Sequence, residues 1–232
     1  MKKLKGFTLA EVLITLGIIG VVAALTLPSL LQDYRNQVVE TRLKKVYSTM
    51  NQAIVQSELE NGAKELWDFD SPDFFNKYIN PYIKYLKKET INGSHNDYLC
   101  IYFADGSVLI TKTSNYKTDD GTVKPNTGAN QDYFFYPNAK NFIPEEVESR
   151  TMSGVSMFEF RFAPGVTNKL DPHAGKGFEP YLNALLLPIN ESKLRDGAYY
   201  SCKKGNINPL YCTAIIARNN WKIPKDYPFR VK

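Results

Sequence analysis

Histidine is scarce in this chain. There are two, His95 and His173, both in loop sequence rich in Gly, Asn and Pro. Neither stands at ligand spacing from a second cluster of ligand-type residues, and no HExxH, GxSxG or P-loop pattern occurs. These absences remove the common metal-dependent, nucleophilic and phosphate-cradling classes, so the chain reads as a non-enzyme and each histidine as a solvated loop residue. Cysteine is nearly as rare: Cys100, Cys202 and Cys212, with no CxxC pair, which argues against zinc-ribbon and thioredoxin-like chemistry. No internal repeat or long low-complexity tract is present, which excludes solenoid arrays. Strong net charge is missing as well. Of the net +5, Lys2, Lys3 and Lys5 supply three charges. The rest of the chain is close to neutral, and no nucleic-acid partner is expected.

The most telling absence is local. From Val12 to Gln32 there are 21 consecutive residues without a charge. A membrane-spanning helix needs about 20 apolar residues, so this run can cross a bilayer. It has no polar face, which suits lipid better than a globular surface. One carboxylate, Glu11, interrupts its start. A carboxylate in hydrocarbon costs roughly 2.5–3.5 kcal/mol on insertion scales, so a neutralising group is expected, the most useful being a positive charge from another chain. Lys2, Lys3 and Lys5 precede the span and predict a cytoplasmic N-terminus, with everything after Leu31 exported.

An ordinary secretory signal places its small-residue cleavage site after the apolar core. Here Gly6 comes before it, in Lys5-Gly6-Phe7-Thr8-Leu9, with Glu11 following. Over about residues 1–55 this pattern resembles the leader and N-terminal helix of type IV pilins and type II secretion pseudopilins, and Gly20 and Pro28 sit where that family has them. The resemblance implies cleavage between Gly6 and Phe7 by a prepilin peptidase and methylation of the Phe7 amine. It also implies assembly with other pilin or pseudopilin subunits by a platform protein and an ATPase. Glu11 would pair with the Phe7 amine of a neighbouring subunit, while Gly20 and Pro28 give small volume and a flexible backbone where helices crowd. The protein would sit in the inner membrane with a single pass before entering a periplasmic pseudopilus or an extracellular pilus. The reading from a different class is a monomeric, signal-anchored exported binding module. Glu11 separates the two, because a lone anchor has no need of that acid.

The chain then divides into a leader (1–6), a transmembrane or fibre-core helix (7–31), an amphipathic continuation (32–62) and an exported domain (63–232). Val39, Leu43, Val46, Tyr47, Met50 and Ile54 recur at helical spacing, and Gly62 is a plausible stop. The whole helix would be about 80 Å long, with Pro28 expected to kink or locally melt it. Ser71-Pro72 predicts a helix start, carrying Phe74, Phe75, Tyr78 and Ile79, with a second short helix over Tyr82–Leu86. YLCIYFADGSVLITK reads as a hairpin turning at Asp105-Gly106. YFFY (133–136) and SMFEFRFA (156–163) are strand candidates, the second with one buried face. LYCTAII (210–216) is a short helix or a last strand. The fold class is α+β: a long N-terminal helix on a small antiparallel sheet with long loops, which is also what the pilin resemblance implies.

In an exported domain the spacing of Cys202 and Cys212 reads as a disulfide-closed loop, and the resemblance supports it; the alternative is two reduced core cysteines. Cys100 reads as a buried free thiol. The Asp/Asn-rich loop holding Asp119, Asp120, Asn126 and Asp132 offers oxygen ligands of the kind calcium takes, against the plainer reading of a surface turn. No other cofactor is expected.

Overall fold

The computed structural model describes residues 6, 8–125, 131–168, 170–183, 188–197 and 199–232. Its first element is a 53-residue helix, α1 (Leu9–Asn61). The helix begins where Thr8, in extended conformation, caps it: the Thr8 hydroxyl accepts from the Glu11 N–H, and the Glu11 carboxylate reaches back to the Thr8 N–H. Such a reciprocal box satisfies two of the orphan donors at a helix start. The helix ends at Gly62, whose φ of +75° favours a residue without Cβ; its N–H closes onto the Glu58 carbonyl at 3.1 Å. Pro28 lies inside α1, and the helix runs through it without interruption. The expected local melting is absent. Nearby hydroxyls bond back to the helix, Thr26 to the Val22 carbonyl and Ser29 to the Thr26 carbonyl, both at 2.9 Å.

Seven strands follow among the described residues: β1 (Lys87–Asn92), β2 (Asn96–Tyr102), β3 (Val108–Lys117), β4 (Val123–Pro125), β5 (Asp132–Tyr136), β6 (Phe158–Arg161) and β7 (Glu179–Pro180). The order across the sheet is β1-β2-β3-β5-β6-β7, with β4 paired to the end of β3, and the pairings are antiparallel. The β2–β3 hairpin turns at Asp105-Gly106 as its sequence predicts. Gly106 has φ +82°, and the Phe103 N–H bonds the Ser107 carbonyl at 2.9 Å. Two short helices, α2 (Glu191–Asp196) and α3 (Cys212–Arg218), complete the domain. LYCTAII therefore takes the helical of its two readings.

Val39, Leu43, Val46, Met50, Ala53 and Ile54 form the buried stripe of α1. The stripe packs on one face of the sheet, supplied by Ile101, Leu109, Tyr133, Phe135, Phe158 and Phe160. The opposite face carries Tyr98, Cys100, Val108, Ile110, Phe134 and Met157, covered by Phe142 and Val147 from the segment after β5. Cys100 is thus a buried free thiol, as expected.

Polar contacts fasten α1 at intervals to segments far away in sequence. Glu40 accepts the Ile223 N–H and pairs with Lys222, both at 2.8 Å. Arg42 donates to the Pro137 carbonyl. Lys45 pairs with Asp105 in the hairpin turn at 2.8 Å. The Asn51 amide bonds the Phe178 carbonyl at 2.9 Å and the Phe178 N–H at 3.0 Å.

Three local expectations need correction. After Ser71-Pro72 the chain forms a π-turn over Phe75–Ile79 and a 3₁₀ turn over Asn80–Tyr82 in place of a regular α-helix. Pro81, without an N–H, cannot extend an α ladder. The second short helix over Tyr82–Leu86 is absent, because the chain straightens there and enters β1. Finally, β6 is buried on both faces. Phe158 and Phe160 face α1, while Met157 and Glu159 are covered too, and Glu159 is only 3% exposed.

Candidate functional site: the N-terminal processing and assembly segment

Gly6 is exposed, and nothing stands within 4 Å of the position a Cβ would take. Two residues later Thr8 caps α1, so Gly6 lies outside the helix in open backbone. Lys2, Lys3, Lys5 and Phe7, the other residues of the expected leader and cleavage set, lie outside the described residues.

Glu11 is placed by the cap. Its Oε2 accepts from the Thr8 N–H at 2.8 Å and from the Thr8 hydroxyl at 2.9 Å. Within one chain the carboxylate is therefore hydrogen-bonded at the positive end of the helix, where an anion is favoured. The sequence carries the signal for this partner, since Thr8-x-x-Glu11 is a capping-box pattern, but charge alone points only to another chain.

Beyond Glu11 the first half of α1 is bare. Leu13, Ile14, Leu16, Ile18, Ile19, Val21, Leu25, Leu27, Leu30 and Leu31 are all exposed. Gly20 has no neighbour within 4 Å of a notional Cβ, and Pro28 is also on the exposed stretch. An apolar surface of this length is far beyond what a soluble monomer leaves uncovered. By length and composition α1 can cross a membrane, and none of its most apolar stretch is buried by the chain itself.

The other residues singled out from the sequence are distributed through the domain. Cys202 and Cys212 form a disulfide with Cα atoms 4.8 Å apart, joining the turn after α2 to the start of α3. The loop acids do not converge. Asp120 accepts from the Thr118 hydroxyl and the Thr122 N–H within its own turn. Asp119 faces His95 at 3.3 Å, and Asp132 pairs with Arg161 at 2.8 Å. Asn126 lies outside the described residues. Among the described residues no group of three or more His, Cys, Asp or Glu side chains is placed to hold a metal ion.

Two titratable groups are more buried than the sequence suggests. His173 is fully enclosed, not solvated, with Nδ1 3.0 Å from Asp171 Oδ1 and Nε2 3.2 Å from the Pro180 carbonyl. Burial lowers its pKa. Glu159, beneath the disulfide-linked helix, gives its backbone N–H to the Thr213 hydroxyl at 3.0 Å. Burial pushes its carboxyl up to about 8.

Residues 29–231 match the model of a family described as a family of unknown function (DUF6613). The chain belongs to that family. Residues 1–27 of this family member also match the prokaryotic N-terminal methylation motif, the prepilin cleavage signal of type IV pilins and pseudopilins. The long apolar helix followed by an antiparallel sheet is a pilin-like α+β arrangement, and the motif together with that helix marks the N-terminal segment as a membrane anchor of pilin type. No curated protein and no solved structure gives a significant match.

Proposed function

We propose that this chain is a prepilin-like structural subunit, held in the inner membrane by residues 7–31 and built into a type II secretion pseudopilus or a type IV pilus. The observation that carries this reading is the continuity of α1. Its bare apolar half bears the methylation motif, and its second half is fastened into a folded domain.

A prepilin peptidase hydrolyses the Gly6–Phe7 bond and methylates the new amine; this chain is the substrate and does no chemistry. The basic leader stays in the cytoplasm and the domain is exported. A platform protein and an ATPase then move the subunit into a helical fibre. There Glu11 exchanges part of its bonding to Thr8 for the cationic amine of Phe7 on a neighbouring subunit. That pair removes an isolated carboxylate from an apolar core and sets the axial register.

The test is the mass of the N-terminal peptide of the protein purified from its native membrane. A peptide beginning at methylated Phe7 supports the reading. A peptide still beginning at Met1, from cells with an active prepilin peptidase, overturns it in favour of an anchored exported domain that never enters a fibre.

A further inference from the structure

A cleft of about 610 Å³ lies where α1 leaves its apolar run and meets the underside of the domain. On one wall stand Leu31, Tyr34, Arg35 and Arg42 of α1, and across from them Lys140 and Lys232. No Asp or Glu side chain lines it. Among the described residues, none of the four cations makes an ion pair. Arg42 donates to the Pro137 carbonyl, a neutral acceptor.

Its height along the helix is fixed by two hydrogen bonds and a buried side chain. Gln32, the last residue of the uncharged run, donates to the Val231 carbonyl at 3.3 Å. Val231 is buried, and the Lys232 N–H bonds the Val155 carbonyl at 3.0 Å. Lys232 is therefore held level with the end of the apolar run. Arg35 stands three residues past Gln32, about 4.5 Å along the axis, which falls inside a headgroup layer roughly 5–8 Å thick. Tyr34 is 64% exposed, at the depth where aromatic residues mark a membrane–water boundary.

We propose that this cleft binds the phosphate headgroup of an anionic phospholipid while the subunit waits in the bilayer. The phosphate is met by Arg35, Lys140 and Lys232, and Leu31 and Tyr34 bound the glycerol and upper acyl region. The inference rests on the membrane-anchor reading of α1. An acidic segment of a second copy is the competing occupant. The lipid is favoured because Arg35 and Lys232 stand at the level where the apolar run ends.

The experiment reconstitutes the full chain into nanodiscs of phosphatidylcholine, alone or with phosphatidylglycerol, and counts retained lipids by native mass spectrometry. Phosphatidylglycerol retention is compared between the parent, Arg35→Gln/Lys140→Gln, and a control with the same charge change, Lys203→Gln/Lys204→Gln. A juxtamembrane cation contributes about fivefold, so the cleft pair is expected to weaken phosphatidylglycerol retention roughly 25-fold, while the control changes little. Equal retention in all three, or equal loss in the control, overturns the cleft as a lipid site. Self-association in the neutral bilayer that depends on Arg35 and Lys140, without phosphatidylglycerol preference, overturns it in favour of an acidic segment from a second copy. A chain that fails to enter even the neutral bilayer overturns the anchor reading beneath it, a result separable from the others.

Discussion

The two halves of α1 share one backbone ladder and differ in almost everything else. From Val12 to Leu31 the helix carries no charge, and its large apolar side chains lie bare on every side. From Val39 to Ser57 one stripe, Val39, Leu43, Val46, Met50, Ala53 and Ile54, is buried to within a few per cent exposure, while Val55 on the other side stays exposed. The comparison shows that helix formation and helix burial are separate problems. The first half is long, capped and hydrogen-bonded within itself, and it needs a solvent or a neighbour for its side chains. The second half finds its partner in the sheet of the same chain. Sequence periodicity separates the two because a single-faced stripe and an all-round apolar surface bury against different things.

Mutations can break that contrast. The largest effect is expected at Glu11. Glu11→Ala leaves the anchor inserted and processed, yet leaves a neighbouring amine unpaired in the fibre core, a loss of about 3–5 kcal/mol per contact. Sheared-fibre immunoblots should fall roughly a hundredfold, and normal fibre levels would sink the assembly role of this residue. Next is the packed half, where Leu43→Ala empties a fully buried site and is expected to cost about 2–5 kcal/mol in thermal or denaturant unfolding of the domain. The matching change in the bare half, Ile18→Ala, should leave domain stability unchanged.

Opening the disulfide with Cys202→Ser/Cys212→Ser should cost about 2–4 kcal/mol, read in the same assay. A domain equally stable without the bridge would show that α3 is held by its buried apolar face alone.

A pH series sharpens the comparison further, because Glu159 lies in the packed region and is neutral when folded. Its carboxyl is raised from 4.5 to about 8, so the folded state holds a proton that the unfolded chain releases between those values. Stability from this group is present in full below about pH 4.5 and is lost as pH rises through about 8. Melting temperature should fall between pH 5 and pH 8.5, and Glu159→Gln should flatten that slope. The smallest effect is at the cap. Thr8→Ala should cost about 1 kcal/mol locally, seen as faster amide exchange over residues 9–12 in micelles with the domain unaffected.

Much of this was legible from local pattern. The extent of α1, its stop at Gly62, the Asp105-Gly106 hairpin, and the cysteine loop all depend on residues close together in the chain. Their physics is local: helical spacing, a positive φ, a short loop to close. Strand β1 escaped notice because KKETIN is a charged edge, protected by lysines from pairing outward, and so lacks the apolar alternation that marks a half-buried strand. The π-turn at Phe75–Ile79 looks like α in the sequence because a proline-punctuated aromatic run has the same spacing in both. Glu159 and His173 look like exposed residues in sequence, and only the approach of α3 and of the 171–180 segment encloses them. The methylation motif over residues 1–27 is legible in the sequence, whereas the partner that Thr8 provides for Glu11 needs geometry. The basic cleft could not be read at all, since it unites residues 31–42 with 137–140 and 232.

The fastenings along α1 also have a mechanical consequence. Glu40, Arg42, Lys45 and Asn51 grip four separate parts of the domain over about 17 Å of helix, and the helix passes Pro28 without a break. A force on the bare end therefore reaches the sheet through one unbroken helix, gripped by the domain at four points.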